Sequence, residues 1–540
     1  LLANSGLCRD GYPKNAVGGV QVYRALIPGF EANAAVKIEG VPNYGTSDIF
    51  ADASGNVYLY LPNGSYDAFT VNGVPCPVTI VNGQVKVFAS THYWDPVAGV
   101  SKSEDAAVVT IDTTTLEDGW YVVKGEVLRS LITVSGTANL ILADGANLTV
   151  SEGGIIVGAD ATINIYAQSA DARTVGRLSA TGGDCAAGIG GSGAGGSCGT
   201  VNIYGGLVTA IGGKAAAGIG GGKGAAGGKI SILGGFVRAK GIGGGAAIGG
   251  GSGAGGGTIA ISGGEVHALN GLGHCGAGIG GGDQGAGGTI TISGGWVSAM
   301  GGEKKGKNDA VDSGAAGIGG GGDYGAGGVN AYGEGSLVDR CVVSGNKASY
   351  AQGNFVTSLA GGVQVRGGAT LRSSLVTDNQ VFDFWNAPTH PVGGGVDIAG
   401  SGTVLNCTIV GNSLTTSGNG GGGVSLEGGR MVNTIVWDNA AGTGSDLALR
   451  NCFVKSDATP TVTCVCTSPA FDGEGNTGED PKFKKGYRIR SSSPCANAGD
   501  STGWTEDDAD LAGKPRLHKD GRVDIGCYQA TLQGLMLKVK

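Results

Sequence analysis

Two phrases recur together along the middle of the chain, and their shared spacing constrains the fold more than any other feature. SCGTVNIYGGLVTAIGG, GGKISILGGFVRAKG, GGTIAISGGEVHALNG and GGTITISGGWVSAMGG follow one plan. Their glycine pairs, Gly205–Gly206, Gly234–Gly235, Gly263–Gly264 and Gly294–Gly295, stand 29, 29 and 31 residues apart. A second phrase, AAGIGG or a close variant, carries Ile189, Ile219, Ile248, Ile279 and Ile318 at the same period. Two motifs in fixed order at such a period mark a solenoid, in which each repeat forms one coil and buries its apolar face against its neighbours.

Alternation within a repeat predicts how the coil is built. In TITISGGWVSAM, Ile290 and Ile292 point inward while Thr289, Thr291 and Ser293 point outward. Past the Gly294–Gly295 bend, Val297 and Ala299 return inward, and Trp296, Ser298 and Met300 face solvent. Each strand satisfies its backbone on the equivalent strand of the next coil. The small residues of the AGIGG wall permit close approach, and glycine permits positive φ at the corners.

The flanking regions differ. Residues 1–35 have no clear period. Residues 36–95 contain VKIEG, NVYLYLP, YDAFTVNG and QVKVFAS, alternating runs separated by turn residues, which predict a small β-sandwich-like module. It reads as a spacer or cap, or else as a ligand module around Tyr58, Tyr60 and Tyr66. Glycine-rich repeats occupy residues 105–331, and a second repeat region follows at 332–460. There VDRCVVSGN, LRSSLVTDN, VLNCTIVGN and MVNTIVWDN align, with Asn346, Asn379, Asn412 and Asn439 at intervals of 33, 33 and 27. Cys341, Ser374, Cys407 and Thr434 share an inward phase, so the two cysteines read as buried small residues. Asn406 and Asn433 are expected to stack as a hydrogen-bonded corner ladder. Residues 461–540 lose the pattern and read as a carboxyl-terminal cap and tail covering the open end.

Composition excludes several classes. Glycine supplies 112 of 540 residues, but with 14 prolines and no every-third spacing the chain is not collagen-like. The net charge of -8 and the lack of a long basic patch argue against a nucleic-acid partner. No 18-residue apolar run is present, so no transmembrane segment is expected, and the closing GLMLKVK is too short and too charged to span a bilayer. The opening LLANSGLCRDG is unlike a secretory leader, so export is an inference from fold and resemblance. Twelve cysteines and 5 histidines form no paired CxxC set, so neither a metal site nor a cofactor is expected. Cys185/Cys198 and Cys495/Cys527 are candidate local disulfides, although sequence alone cannot connect them.

LILADGANLTVSEGGIIV, INIYAQ and the GAGIGGG/GGTITISGG repeats resemble those of bacterial secreted, adhesin-like, glycine-rich parallel β-helix proteins. LNCTIVGN, MVNTIVWDN, EDPKF, SSSPCANAGD and KPRLHKDGRVDIGCYQ resemble the choice-of-anchor Q domain group. Together these matches cover roughly residues 105–530. The resemblance implies an all-β, right-handed parallel β-helix solenoid of the pectin-lyase-like kind, with the small amino-terminal β domain in front. It also implies an extracellular or bacterial cell-surface location. DIGCYQ departs from the usual closing DIGAYE-like phrase at Cys527 and Gln529.

Chemistry-bearing motifs are sparse. GxSxG and HExxH do not occur, and the GxGxxG-like matches follow from glycine repetition. Asp283, Asp323, Asp309 and Asp312 are the candidate carboxylates in the glycine-rich region, read as solvated turns, metal or ligand contacts, or catalytic groups. The insertion at 301–314 adds Lys304, Lys305 and Lys307, and EDDAD at 506–510 reads as a solvated acidic turn.

The outward ladder Leu207, Phe236, Glu265 and Trp296, beside Thr209, Arg238, His267 and Ser298, is the most informative surface. Phe236, Trp296, Arg238 and Glu265 form a candidate glycan-binding set, aromatic rings being suited to sugar faces. The competing reading is a surface covered by a loop or a neighbouring domain. His267 lacks companions for metal ligation. Three functions stay open: a structural, adhesin-like display protein that binds glycans, a carbohydrate-active enzyme (polysaccharide lyase or glycoside hydrolase), or a self-associating extracellular filament. Whether the chain is an enzyme is undecided at this point.

Overall fold

A computed structural model describes residues 22–40, 49–81, 84–169, 174–270, 275–305, 311–315, 317–319, 329–332, 337–350, 359–383, 392–415, 420–441 and 451–530. The chain is all-β and forms a parallel β-solenoid of about 9 turns. One wall stacks Gly119–Val123, Thr137–Leu142, Thr162–Ala167, Thr200–Ile203, Lys229–Ile232, Thr258–Ile261 and Thr289–Ile292 in parallel. A second wall stacks Arg177–Thr181 and then, after each glycine-pair bend, Leu207–Lys214, Phe236–Ile242, Glu265–Leu269 and Trp296–Met300.

The AGIGG phrase builds a third wall, in which Ile189, Ile219, Ile248, Ile279 and Ile318 pair in register. The glycines that follow them hold φ between 130° and 141°, a region that disfavours any side chain. A β-carbon on Gly249 would lie 2.0 Å from the Gly280 carbonyl oxygen. Inward Ile, Val and Ala from all walls form one continuous core, and Val297 and Ala299 point into it as the alternation predicts.

The amino-terminal module begins inside the segment that shows no sequence period. Tyr23–Ile27 pairs antiparallel with Val57–Leu61, and the module's buried residues join the solenoid core. Tyr58 donates its hydroxyl to Asp52, Tyr60 is buried, and Tyr66 donates to the Pro62 carbonyl, so these rings serve the module's own packing. Gln84–Asp95 leaves the module and pairs antiparallel with Val100–Val109, which opens the first parallel wall.

In the second repeat region, Arg340, Ser373, Asn406, Asn433 and Cys464 turn successive corners, all with φ between 47° and 52°. Asn433 donates its side-chain amide to Asn406 Oδ1 at 2.8 Å, which is the expected corner ladder. A second ladder lies inside the solenoid, where Asn346, Asn379, Asn412, Asn439 and Asn451 are buried and linked amide to amide. Cys341, Ser374, Cys407 and Thr434 are fully buried, and the two hydroxyls each accept the backbone N–H of the preceding cysteine.

The carboxyl-terminal segment does more than close an end. Residues beyond 480 run back along the flank: Asp500 N–H donates to Asn433, Trp504 Nε1 to Asn406 and Arg516 to Ser373. Its Cys527 packs outside the wall on Leu375 and Val410. EDDAD is therefore no solvated turn throughout. Asp510 is fully buried and accepts the N–H groups of Ala512, Lys514 and Gln529, while Asp508 pairs with Arg372.

Neither candidate disulfide is formed, because Cys185, Cys198, Cys495 and Cys527 are all free thiols. Cys185 sits at a corner with φ 62°, whereas Cys198 packs into the main core. Cys495 packs with Ile435, Cys466 and Ile525, while Cys527 faces a different apolar cluster.

Candidate functional site

Parallel, in-register stacking turns sequence alignment into spatial adjacency. Leu207, Phe236, Glu265 and Trp296 form one outward row, and Thr209, Arg238, His267 and Ser298 form the next. Between flanking strands the separation is ~4.8 Å, so a group on each coil samples the solenoid axis at that interval.

Three rings connect across the two rows. His267 lies 5.1 Å from Phe236 and 4.9 Å from Trp296, centroid to centroid, with the planes tilted by 40° and 57°. The result is a strip of ring surface crossing successive coils. Arg238 places its guanidinium carbon 5.6 Å from the Phe236 centroid. Glu265 holds His267 through a 2.9 Å contact between Oε1 and Nε2. Both Trp296, at 41% relative exposure, and Arg238 reach solvent. Leu269 and Met300 extend the apolar surface along the same strands.

The sequence places Phe236, Arg238, Glu265 and Trp296 on one surface, and the structure brings them together. Sequence reasoning missed the role of His267. Its available signal was its position in the second row, diagonal to both aromatic residues.

A covered counterpart explains why exposure here is informative. On the first wall Tyr93, Trp120, Tyr166 and Tyr204 also form a ring stack, with centroid distances of 4.5 to 5.4 Å. Tyr93 belongs to the hairpin that leaves the amino-terminal module, so the chain lays one of its own buried rings against that stack. The Tyr166 phenol is pushed well above its ordinary value, chiefly by burial. The Trp296 indole, by contrast, is exposed among the described residues.

Other candidates separate from the strip. Asp283 donates its backbone N–H to the Gly244 carbonyl on a glycine-rich turn. Glu303–Lys305 pairs with Val311–Gly314 as a short hairpin across the charged insertion. Lys307, Asp309 and Asp323 lie outside the described residues. Among the described residues, no cluster of three or more His, Cys, Asp or Glu side chains is arranged to hold a metal ion. No helix is long and apolar enough to cross a membrane among those residues.

The fold and its exposed strip define a parallel β-solenoid with a ring-lined outer face. Residues 201–223, 259–283 and 290–322 match the family model described as Beta helix repeat, so these coils are similar to that repeat. The matched stretches include Glu265, His267 and Trp296. No curated protein matches the chain.

Proposed function

We propose that this chain is an extracellular or bacterial cell-surface scaffold that binds glycans through the Phe236–His267–Trp296 strip. The single observation that carries this reading is the exposed indole of Trp296, joined through the His267 ring to Phe236. Ring faces pack against the C–H faces of pyranoses, while Arg238 and Glu265 offer a donor and an acceptor for hydroxyl groups. Phe236 and Trp296 are two coils apart, about 9.5 Å, a span comparable to a disaccharide unit of an extended polysaccharide. A polymer aligned with the solenoid axis would meet ring after ring.

Binding is favoured over cleavage because the strip contributes one carboxylate, Glu265, whereas most glycoside hydrolysis uses a pair. The test is a direct-binding screen of the intact chain against microbial, plant and mucin glycans. Selective, saturable binding weakened about tenfold by Trp296→Ala, with unchanged melting, supports the reading. Failure to bind across the panel, or equal binding by Trp296→Ala and Phe236→Ala, overturns it.

A further inference from the structure

A second site lies where the amino-terminal module meets the first coils. Lys124 follows Gly119–Val123, Ala143–Gly145 turns after Thr137–Leu142, and Gln168 follows Thr162–Ala167, so three consecutive coils supply one wall. Gly29, Phe30, Ser90, Thr91 and His92 supply the facing wall. Between them is a cleft of about 470 Å³, within the range of small-molecule sites.

Lys124 sets the chemistry of this cleft. Its side chain is partly buried, and that burial pulls its ammonium below the ordinary lysine value. Among the described residues, Cys76 is the titratable group that acts on its charge. Burial pushes the Cys76 thiol up to about 11, so at neutral pH it is uncharged and gives Lys124 no counter-charge. A partly desolvated cation without an anionic partner is unfavourable, and a bound carboxylate would relieve it.

The remaining lining is suited to hydroxyl groups. Thr91, Asp144 and Gln168 bring both donors and acceptors, and Phe30 adds one aromatic surface. Gln168 is already positioned, accepting the Asp144 N–H at 3.0 Å and reaching Thr91 Oγ1 at 3.4 Å. Asp144 would repel a ligand carrying several negative charges, which favours a single carboxylate placed at Lys124.

We propose that this cleft binds a sugar acid, a hexuronate-like ligand of monosaccharide to disaccharide size, with Lys124 pairing its carboxylate and Thr91, Asp144 and Gln168 reading its hydroxyls. The site is separate from the Phe236–His267–Trp296 strip and does not rest on the glycan reading of that strip.

The test is calorimetric titration of the intact chain with D-glucuronate, D-glucose, acetate and inorganic phosphate. Glucuronate should bind saturably, at least about tenfold more tightly than each of the others. Lys124→Met should weaken glucuronate about tenfold or more, Lys124→Arg should keep most of the affinity, and Trp296→Ala should leave it unchanged. Should Lys124→Met fail to fold, the wild-type chain still decides: glucuronate should slow amine labelling of Lys124, read by peptide mass spectrometry. Absence of saturable glucuronate binding overturns the proposal. So does equal binding of acetate or phosphate, unchanged affinity in a folded Lys124→Met variant, or unprotected labelling.

Discussion

Asn412 holds Asn379 twice: its side-chain oxygen accepts the Asn379 backbone N–H at 3.0 Å and the Asn379 amide at 2.9 Å. The Asn412 amide in turn donates to the Val376 carbonyl and to Asn439 Oδ1. One buried side chain therefore serves three coils. Asn412→Ala should destabilise the chain by about 3 kcal/mol, since it leaves buried donors and an acceptor without partners. Chemical denaturation measures this directly, and a loss below about 1 kcal/mol would show that the ladder carries little stability.

Gly249 tests the third wall. At φ 133°, with the Gly280 oxygen 2.0 Å from where its β-carbon would stand, Gly249→Ala should cost about 4 kcal/mol or prevent folding. Gly253 has φ 86° and open space around the same position. Gly253→Ala should therefore cost only about 1–2 kcal/mol. Equal effects in thermal unfolding would mean that backbone conformation, rather than close approach, sets the requirement.

Arg516 tests the attachment of the returning segment. It is fully buried, donates to Ser373 Oγ and to the Gly526 and Cys527 carbonyls, and lies 5.3 Å from the Trp504 ring. Arg516→Met should cost about 3 kcal/mol or more and expose residues 480–530 to proteolysis before the repeats are cut. Cleavage patterns identical to wild type would contradict this.

Alkaline stability follows from the buried thiols. Burial pushes Cys198, Cys452 and Cys527 up to about 12 from an ordinary 9.0. Above pH 9 the unfolded chain releases these protons while the folded chain keeps them. Their contribution is thus complete below that pH and is lost as pH rises toward 12. Denaturation followed against pH should show a falling alkaline limb, flatter in Cys198→Ala. An unchanged slope in that variant would exclude Cys198 as a source.

The repeat region was legible because in-register stacking makes aligned residues neighbours. Phe236, Glu265 and Trp296 could be placed on one row from spacing alone, and the structure pairs them so. His267 was harder to read, because its ring contacts run diagonally between rows. The asparagines aligned equally well, but their burial could not be read from residue type, since asparagine usually faces water unless its hydrogen bonds are met. CVV at 341–343 and IVW at 435–437 held a further signal, as unbroken apolar runs indicate strands covered on both faces. The cover comes from residues distant in sequence, with Cys527 and Ile525 packed against them. Cys495 and Cys527 looked pairable because they are close in the chain, yet their side chains enter different clusters.

Because equivalent residues dock coil on coil, the repeat is also a unit of length. Gain or loss of one whole repeat would move everything beyond it by ~4.8 Å along the axis and leave every inward side chain inward. A slip of one residue would instead invert the faces of all strands that follow. The reach of this molecule can thus change in discrete steps, and duplication within its gene is the natural means of taking one.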